Sequence, residues 1–144
     1  MNLSENVNTP LPKVYSSKWM QRMLILSLLL LFFTIPHTLE DFAMGEPAKA
    51  GVPAPLLSLV VSTIFFLQAL GLYGLGQRRR WGIGLHVAIG LFWPVASGMA
   101  QLPTIFMETP YRAGAISILY VAGMIIVGSL LCFSAIMALI KREI

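Results

Sequence analysis

Four long apolar segments, separated by short polar connections, constrain this chain more than any other feature. In the first of them, residues 23–36 contain no charged side chain. A helix needs about 20 residues to cross the ~30 Å hydrocarbon core of a bilayer, and every segment reaches that length. Because backbone groups in lipid need internal partners, each segment is predicted to be an α-helix. We place the spans at residues 20–42, 55–76, 82–106 and 113–140.

The composition also indicates that lipid surrounds this protein. Hydrophobic residues make up 57% of the chain and charged residues only 11%, and the mean hydropathy is +0.79. Soluble domains carry about 25% charged residues. The net charge of +4 does not indicate nucleic-acid binding, because the basic residues are distributed between the spans. The single cysteine, Cys132, excludes an intramolecular disulfide and a multi-cysteine metal site. We therefore predict an integral protein of the cell (inner) membrane.

The positions of the basic residues predict how the spans are oriented. In a four-span arrangement, eight of the ten lie on one side of the membrane, and only Lys49 and Arg112 lie on the other. The eight are Lys13, Lys18, Arg22, Arg78, Arg79, Arg80, Lys141 and Arg142. Since positively charged loops stay in the cytoplasm, both termini are predicted to be cytoplasmic. The short connections favour an all-α, antiparallel up-down-up-down bundle.

Two further segments have a predicted role in the architecture. Residues 1–17 are polar and contain prolines, and we expect a mobile cytoplasmic arm there, before a single transmembrane domain over 18–144. Residues 113–129 are rich in small side chains, which allow helices to approach closely. That stretch is predicted either to lie at the centre of the bundle or to form the interface of a homo-oligomer or larger membrane complex. Ordinary membrane-helix composition would look much the same.

The end of the first span carries the main candidate for a functional site. A histidine and two carboxylates, His37, Glu40 and Asp41, follow the apolar run within five positions. Their spacing of three and four residues places both carboxylates on the helix face of His37. Ionisable groups at membrane depth are costly unless they are paired or reach water, so they suggest a functional site. Pro36, which precedes the histidine, removes a backbone donor and can kink the helix.

Helix rise predicts which other polar residues lie at the same depth. His37 lies about 20 Å from the cytoplasmic end of its span, near the outer interface. Residues of the third span, the last loop and the fourth span reach that level, and they form the predicted supporting pocket. They are Ser97, Gln101, Glu108, Arg112 and Tyr120. His86 lies only ~6 Å inside the cytoplasmic boundary, so we predict that it does not partner His37. Gln68 falls near its depth and is the predicted hydrogen-bond partner of His86.

Three chemistries suit an imidazole beside two carboxylates. His37, Glu40 and Asp41 could bind a divalent metal with one position open to water. They could act as a catalytic acid/base unit on a lipid-soluble substrate, with one carboxylate orienting His37. They could relay protons or bind a cation in a transport path. The simplest alternative is a helix end that surfaces into water. At the level of the whole protein, the alternative is a non-catalytic accessory subunit of a membrane complex or transporter.

The order His37, two residues, then Glu40 and Asp41 resembles the small bacterial membrane proteins named for a His-x-x-Glu-Glu motif. That family also has four to five spans, with a histidine in a later span and a Tyr-x-Pro-Gly-like element before the last one. His86 and residues 111–114 stand in those places here. Asp41 replaces the second glutamate, and alanine replaces the proline. The resemblance implies a polar or metal site in the membrane but no particular reaction. It would also join His86 to that site, against the depth estimate.

Overall fold

The computed structural model describes residues 18–107 and 111–142, and these residues form helices and turns without any strand. The helices are α1 (Lys18–Ala43), α2 (Glu46–Lys49), α3 (Ala54–Gly76), α4 (Arg80–Met107) and α5 (Ala115–Ile140). All but α2 are long and apolar enough to cross a membrane. The four helices predicted as spans are thus confirmed, with every boundary within two residues, whereas the single turn of α2 was not predicted. The predicted arm, residues 1–17, and Glu108 lie outside the described residues.

Local sequence accounts for the ends of α3. Pro55 occupies the first turn of that helix, where its missing N–H costs no hydrogen bond. At the other end, Arg78 adopts a left-handed conformation with φ of 53°. The N–H of Arg79 then donates to the carbonyl of Gly74 at 2.8 Å, which closes the last turn. This short turn places α4 directly beside α3.

The four long helices do not contact one another equally. α5 packs against α4 and α1, whereas α3 packs mainly against α4 and only slightly against α1. Accordingly, α5 is the most buried of the four and α3 the most exposed. Tight contacts near the end of α3, where Gly74 lies against Gly82, hold it to α4. The weak contact between α1 and α3 leaves room between them, and the candidate site lies beside that space.

Small residues of α5 are used for contacts within the chain. A Cβ atom built on Gly128 would lie 2.7 Å from the ring of Pro94 in α4, and one built on Gly123 would lie 2.5 Å from the ring of Phe33 in α1. Neither site has room for a larger side chain without a shift of its neighbour. This agrees with the central position that we expected as one of two alternatives for residues 113–129. Contact with a second chain through the same helix stays a prediction.

Candidate functional site

The three ionisable residues at the end of α1 lie together and are largely shielded from solvent. His37 is only 4% exposed. Its ring lies between the two carboxylates, with Nδ1 3.7 Å from Oε2 of Glu40 and Nε2 3.7 Å from Oδ2 of Asp41. This follows from the helix, because residues three and four positions apart share one face. Each nitrogen therefore faces a different carboxylate.

The Glu40 side of the imidazole faces α5. The hydroxyl of Ser117, which is fully buried, donates to Oε1 of Glu40. The same hydroxyl oxygen accepts the N–H of Ala113 at 3.1 Å, which fixes its orientation. Among the described residues, Nδ1 of His37 and Oε2 of Glu40 have no hydrogen-bond partner, although both are buried. A proton on Nδ1 would satisfy both atoms if the ring and the carboxylate moved closer by less than 1 Å.

Arg112 connects the Asp41 side of the site to the last loop. Its Nη1 donates to Oδ1 of Asp41, and its Nη2 donates to Oε1 of Gln101 at 3.0 Å. Nη2 also lies 3.6 Å from Oε2 of Glu46, the first residue of α2. Burial would lower the pKa of the guanidinium, but the hydrogen bond to Asp41 and the charge of that carboxylate raise it overall. Arg112 therefore stays charged where it pairs with Asp41.

Tyr111 completes this hydrogen-bond network. Its hydroxyl donates to Oε1 of Gln101 at 2.8 Å, so that oxygen accepts from two neighbouring loop residues. Burial raises the pKa of Tyr111 to about 12, so the hydroxyl keeps its proton at neutral pH. Tyr111 is only 2% exposed, so its ring is packed within the protein.

The backbone of the last loop brings these side chains over the end of α1. Arg112 adopts a left-handed conformation with φ of 42°. Gly114 has φ of 75° and ψ of −137°, a region that residues with a Cβ rarely adopt. The N–H of Gly114 also donates to the carbonyl of Tyr111 at 2.6 Å. The tight turn therefore directs Arg112 back towards Asp41.

A cavity of about 230 Å³, here called the chamber, opens beside the imidazole between α1, α3 and α4. Polar side chains occur where it meets the site, and the rest of its wall is mainly apolar. The polar lining residues are His37, Thr38, Asp41, Ser97 and Gln101. Glu40 does not line the chamber, so the Asp41 side of the imidazole borders it. A recess of about 330 Å³ on the loop side shares Asp41 and Gln101 with the chamber.

The predicted supporting residues have different positions relative to this site. Gln101 and Arg112 belong to the network, as expected. Ser97 lines the chamber but directs its hydroxyl to the sulfur of Met124 at 3.7 Å. Tyr120 lies one helical turn beyond Ser117, and within the described part of the chain its hydroxyl forms no hydrogen bond with the network. Tyr111 and Glu46 also contact the site, although helix spacing and depth do not predict them.

The geometry does not fit a metal bound by all three residues. Nδ1 and Nε2 lie on opposite edges of the imidazole, and each is next to only one carboxylate. Glu40 and Asp41 therefore cannot both join His37 around one ion without rearrangement. Over residues 18–107 and 111–142, no group of three or more His, Cys, Asp or Glu side chains is arranged to hold a metal.

The two histidines have different neighbours. His86 lies in α4, with Nδ1 2.7 Å from the carbonyl oxygen of Gly82 and its ring against Gly71. The predicted hydrogen bond between Gln68 and His86 is replaced by another. The amide nitrogen of Gln68 donates instead to Ser27 of α1. Ser27 reaches the same level from the neighbouring helix, so depth alone does not determine which residue Gln68 contacts.

Comparisons of the chain with protein-family models, with curated proteins and with solved structures give no match. The resemblance to the His-x-x-Glu-Glu proteins therefore stays a prediction, and the function has to be argued from the site.

Proposed function

We propose that the chain is a multi-pass protein of the cell (inner) membrane, in which α1, α3, α4 and α5 form an antiparallel up-down-up-down bundle with both termini in the cytoplasm. The four apolar helices support the membrane location. Within the described residues, basic side chains are concentrated at the start of α1, in the turn before α4 and after α5. His37, Glu40 and Asp41, here called the ionic site, lie at the other end of α1. Cytoplasmic loops are the ones enriched in lysine and arginine.

We further propose that the chamber binds a lipid-soluble amphiphile that carries a hydroxyl group. This proposal rests on one observation, which is that a mainly apolar cavity within the bundle ends at His37 and Asp41. Ligand sites typically combine such apolar walls with a few polar groups, in volumes from about 300 Å³ upwards. The chamber alone is slightly smaller, but a ligand that also reached the recess beside Asp41 and Gln101 would have more room. The apolar part of the ligand would occupy the chamber, and its hydroxyl would meet the imidazole.

The two carboxylates suit different roles in this proposal. Glu40, held by Ser117, would accept a hydrogen bond from the N–H of Nδ1 and so orient the ring. That tautomer leaves the lone pair of Nε2 on the side that borders the chamber. There it accepts a hydrogen bond from the ligand hydroxyl and can serve as a general base for its proton. Asp41, paired with Arg112, would stabilise the charge that the imidazole gains when it takes the proton of the ligand.

Photolabelling of the purified full-length chain in lipid nanodiscs tests this function. The probe is a long-chain alcohol that carries a diazirine in its alkyl chain, and labelled peptides are identified by mass spectrometry. We expect labels on the chamber walls of α1, α3 and α4. Ala96→Phe, which fills the chamber, should reduce the labelling several-fold. Ala88→Phe, on the exposed face of the same helix, is the matched control and should leave it unchanged.

The role of the imidazole requires a second comparison. His37→Ala should weaken labelling by the alcohol but not by the corresponding methyl ether, which lacks the donor hydrogen. Equal labelling by both probes in the unaltered chain would contradict a hydroxyl-specific site. Labelling that is insensitive to Ala96→Phe would show that the probe binds elsewhere.

A further inference from the structure

A second group of polar side chains lies inside the bundle, away from the ionic site. Ser27 of α1, Gln68 of α3 and His86 of α4 are each fully buried, and we call them the inner polar site. Ser27 precedes His37 by ten residues on α1, which corresponds to about 15 Å along the helix. The proposed function does not use these residues, so their burial needs its own explanation.

The hydrogen bonds of Gln68 determine which way its amide group points. Its Nε2 lies 2.9 Å from the backbone carbonyl oxygen of Ser27 and 3.1 Å from the hydroxyl oxygen. A backbone carbonyl can only accept, so the NH₂ group must face Ser27. The amide oxygen, Oε1, therefore points elsewhere, and it has no hydrogen-bond partner among the described residues.

The tautomer of His86 follows from the same reasoning. Its Nδ1 lies 2.7 Å from the carbonyl oxygen of Gly82, so Nδ1 must carry a hydrogen and donate it. In a neutral imidazole, Nε2 then presents a lone pair and is an acceptor. Nε2 is buried and, in the described part of the chain, has no hydrogen-bond partner. The inner polar site thus contains two buried acceptors that both lack a donor.

The two acceptors belong to side chains on adjoining surfaces. A Cβ built on Gly71 would lie 2.9 Å from Cε1 and 3.0 Å from Nδ1 of His86, so the His86 ring packs directly against α3 at Gly71. Gly71 follows Gln68 by three residues, so both lie on the same face of α3. Two acceptors cannot satisfy each other, and each costs about 1–3 kcal/mol if it is left unbonded. One water molecule carries two donor hydrogens and suits such a buried polar site.

We propose that the inner polar site binds an internal water molecule, which donates one hydrogen to Oε1 of Gln68 and the other to Nε2 of His86. Together with the bond from Gln68 to Ser27, this water connects α1, α3 and α4 on the side of the bundle away from the chamber. It thereby holds α3 close to α1 at a level of the bundle where the chamber does not lie between these two helices. The proposal is independent of the function assigned to His37.

Solid-state NMR on the full-length chain in bilayers, with ¹⁵N-labelled histidine, tests the proposal directly. At neutral pH we expect His86 to be neutral and protonated at Nδ1, with an Nε2 shift typical of an accepted hydrogen bond. Magnetisation that starts on water should reach Nε2 of His86. A His37→Ala sample assigns the two histidines, and this measurement needs no change at the inner polar site.

A substitution then identifies the second acceptor. Gln68→Met keeps a side chain of similar length but removes the amide oxygen, and it should reduce the transfer from water to His86 several-fold. Thr63→Val, on the exposed side of the same helix, is the control and should leave the transfer unchanged. Absence of transfer in the unaltered chain would overturn the proposal. So would a hydrogen on Nε2, since that nitrogen could then donate directly to Gln68.

Discussion

At the scale of single residues, Arg112 holds the candidate site together. Its guanidinium contacts Asp41 at the end of α1, Gln101 in α4 and Glu46 at the start of α2. The Arg112 side chain is only 7% exposed, so water screens these contacts poorly. Removing one partner of a shielded ion pair leaves the other charge without compensation, and this commonly costs more than the pair itself contributes.

We therefore predict that Arg112→Gln lowers the free energy of unfolding by about 3 kcal/mol, because Asp41 keeps a charge without a counter-ion. The measurement is unfolding of the purified chain in detergent, followed by circular dichroism. Lys49→Gln is the control, since Lys49 pairs with Glu46 while its own side chain is 66% exposed. Exposed pairs contribute at most about 1 kcal/mol. Equal losses in the two variants would contradict a structural role of the Arg112 network.

Part of this site could be predicted from the sequence. The spacing of His37, Glu40 and Asp41 fixes their shared face once α1 is a helix, and helix rise correctly placed Gln101 at their level. The role of Tyr111 could not be derived in this way. It depends on the turn that ends at Gly114, whose backbone conformation is not encoded by apolar periodicity.

At the scale of helices, the contact of α4 with α5 depends on glycine. A Cβ built on Gly90 would lie 2.6 Å from the backbone nitrogen of Cys132. This neighbour is backbone, so it cannot move aside as the end of a flexible side chain could. Gly84 lies in the same helix, but no atom comes within 4 Å of a Cβ built there. Both glycines therefore lie inside α4, but only Gly90 is packed against another helix.

We predict that Gly90→Ala destabilises the fold by about 1–3 kcal/mol, because the added methyl group forces α4 and α5 apart. Gly84→Ala should be neutral or slightly stabilising, since alanine favours the helical backbone relative to glycine. Thermal unfolding of both variants in the same detergent provides the comparison. Equal stability of the two variants would mean that α4 and α5 are not in close contact at Gly90.

The four long helices were easier to predict from the sequence than the contacts between them. Length and continuous apolar character are properties of each segment alone, so the boundaries followed from the sequence. Which helices touch depends on matching surfaces on two segments. The small residues around Gly123 and Gly128 were compatible with central packing and with an oligomer interface. The structure shows that these two glycines lie against Phe33 and Pro94 of the same chain.

At the scale of the whole molecule, the unequal packing of the helices and the distribution of charge are related to the proposed function. α3 is held close to α4 at the end that adjoins the Arg78–Arg80 turn, while the chamber lies towards the opposite end of the bundle. A bundle with α3 packed tightly along its whole length would have no such chamber. The ionic site and the chamber therefore share one half of the molecule, and most basic residues lie at the other end.

This asymmetry leads to a prediction about orientation in the membrane. Gln77, in the turn between α3 and α4, should face the cytoplasm, and Ala48, in α2, should face the opposite side, because the basic residues cluster at the Gln77 end. Both positions are exposed, so a cysteine placed there can react. In a Cys132→Ala background, intact cells treated with a membrane-impermeant thiol reagent should label Ala48→Cys and spare Gln77→Cys. Permeabilised cells should label both, which shows that each thiol is reactive. The reverse pattern in intact cells would place His37 near the cytoplasmic face, and the ligand would then have to reach the chamber from the inner leaflet.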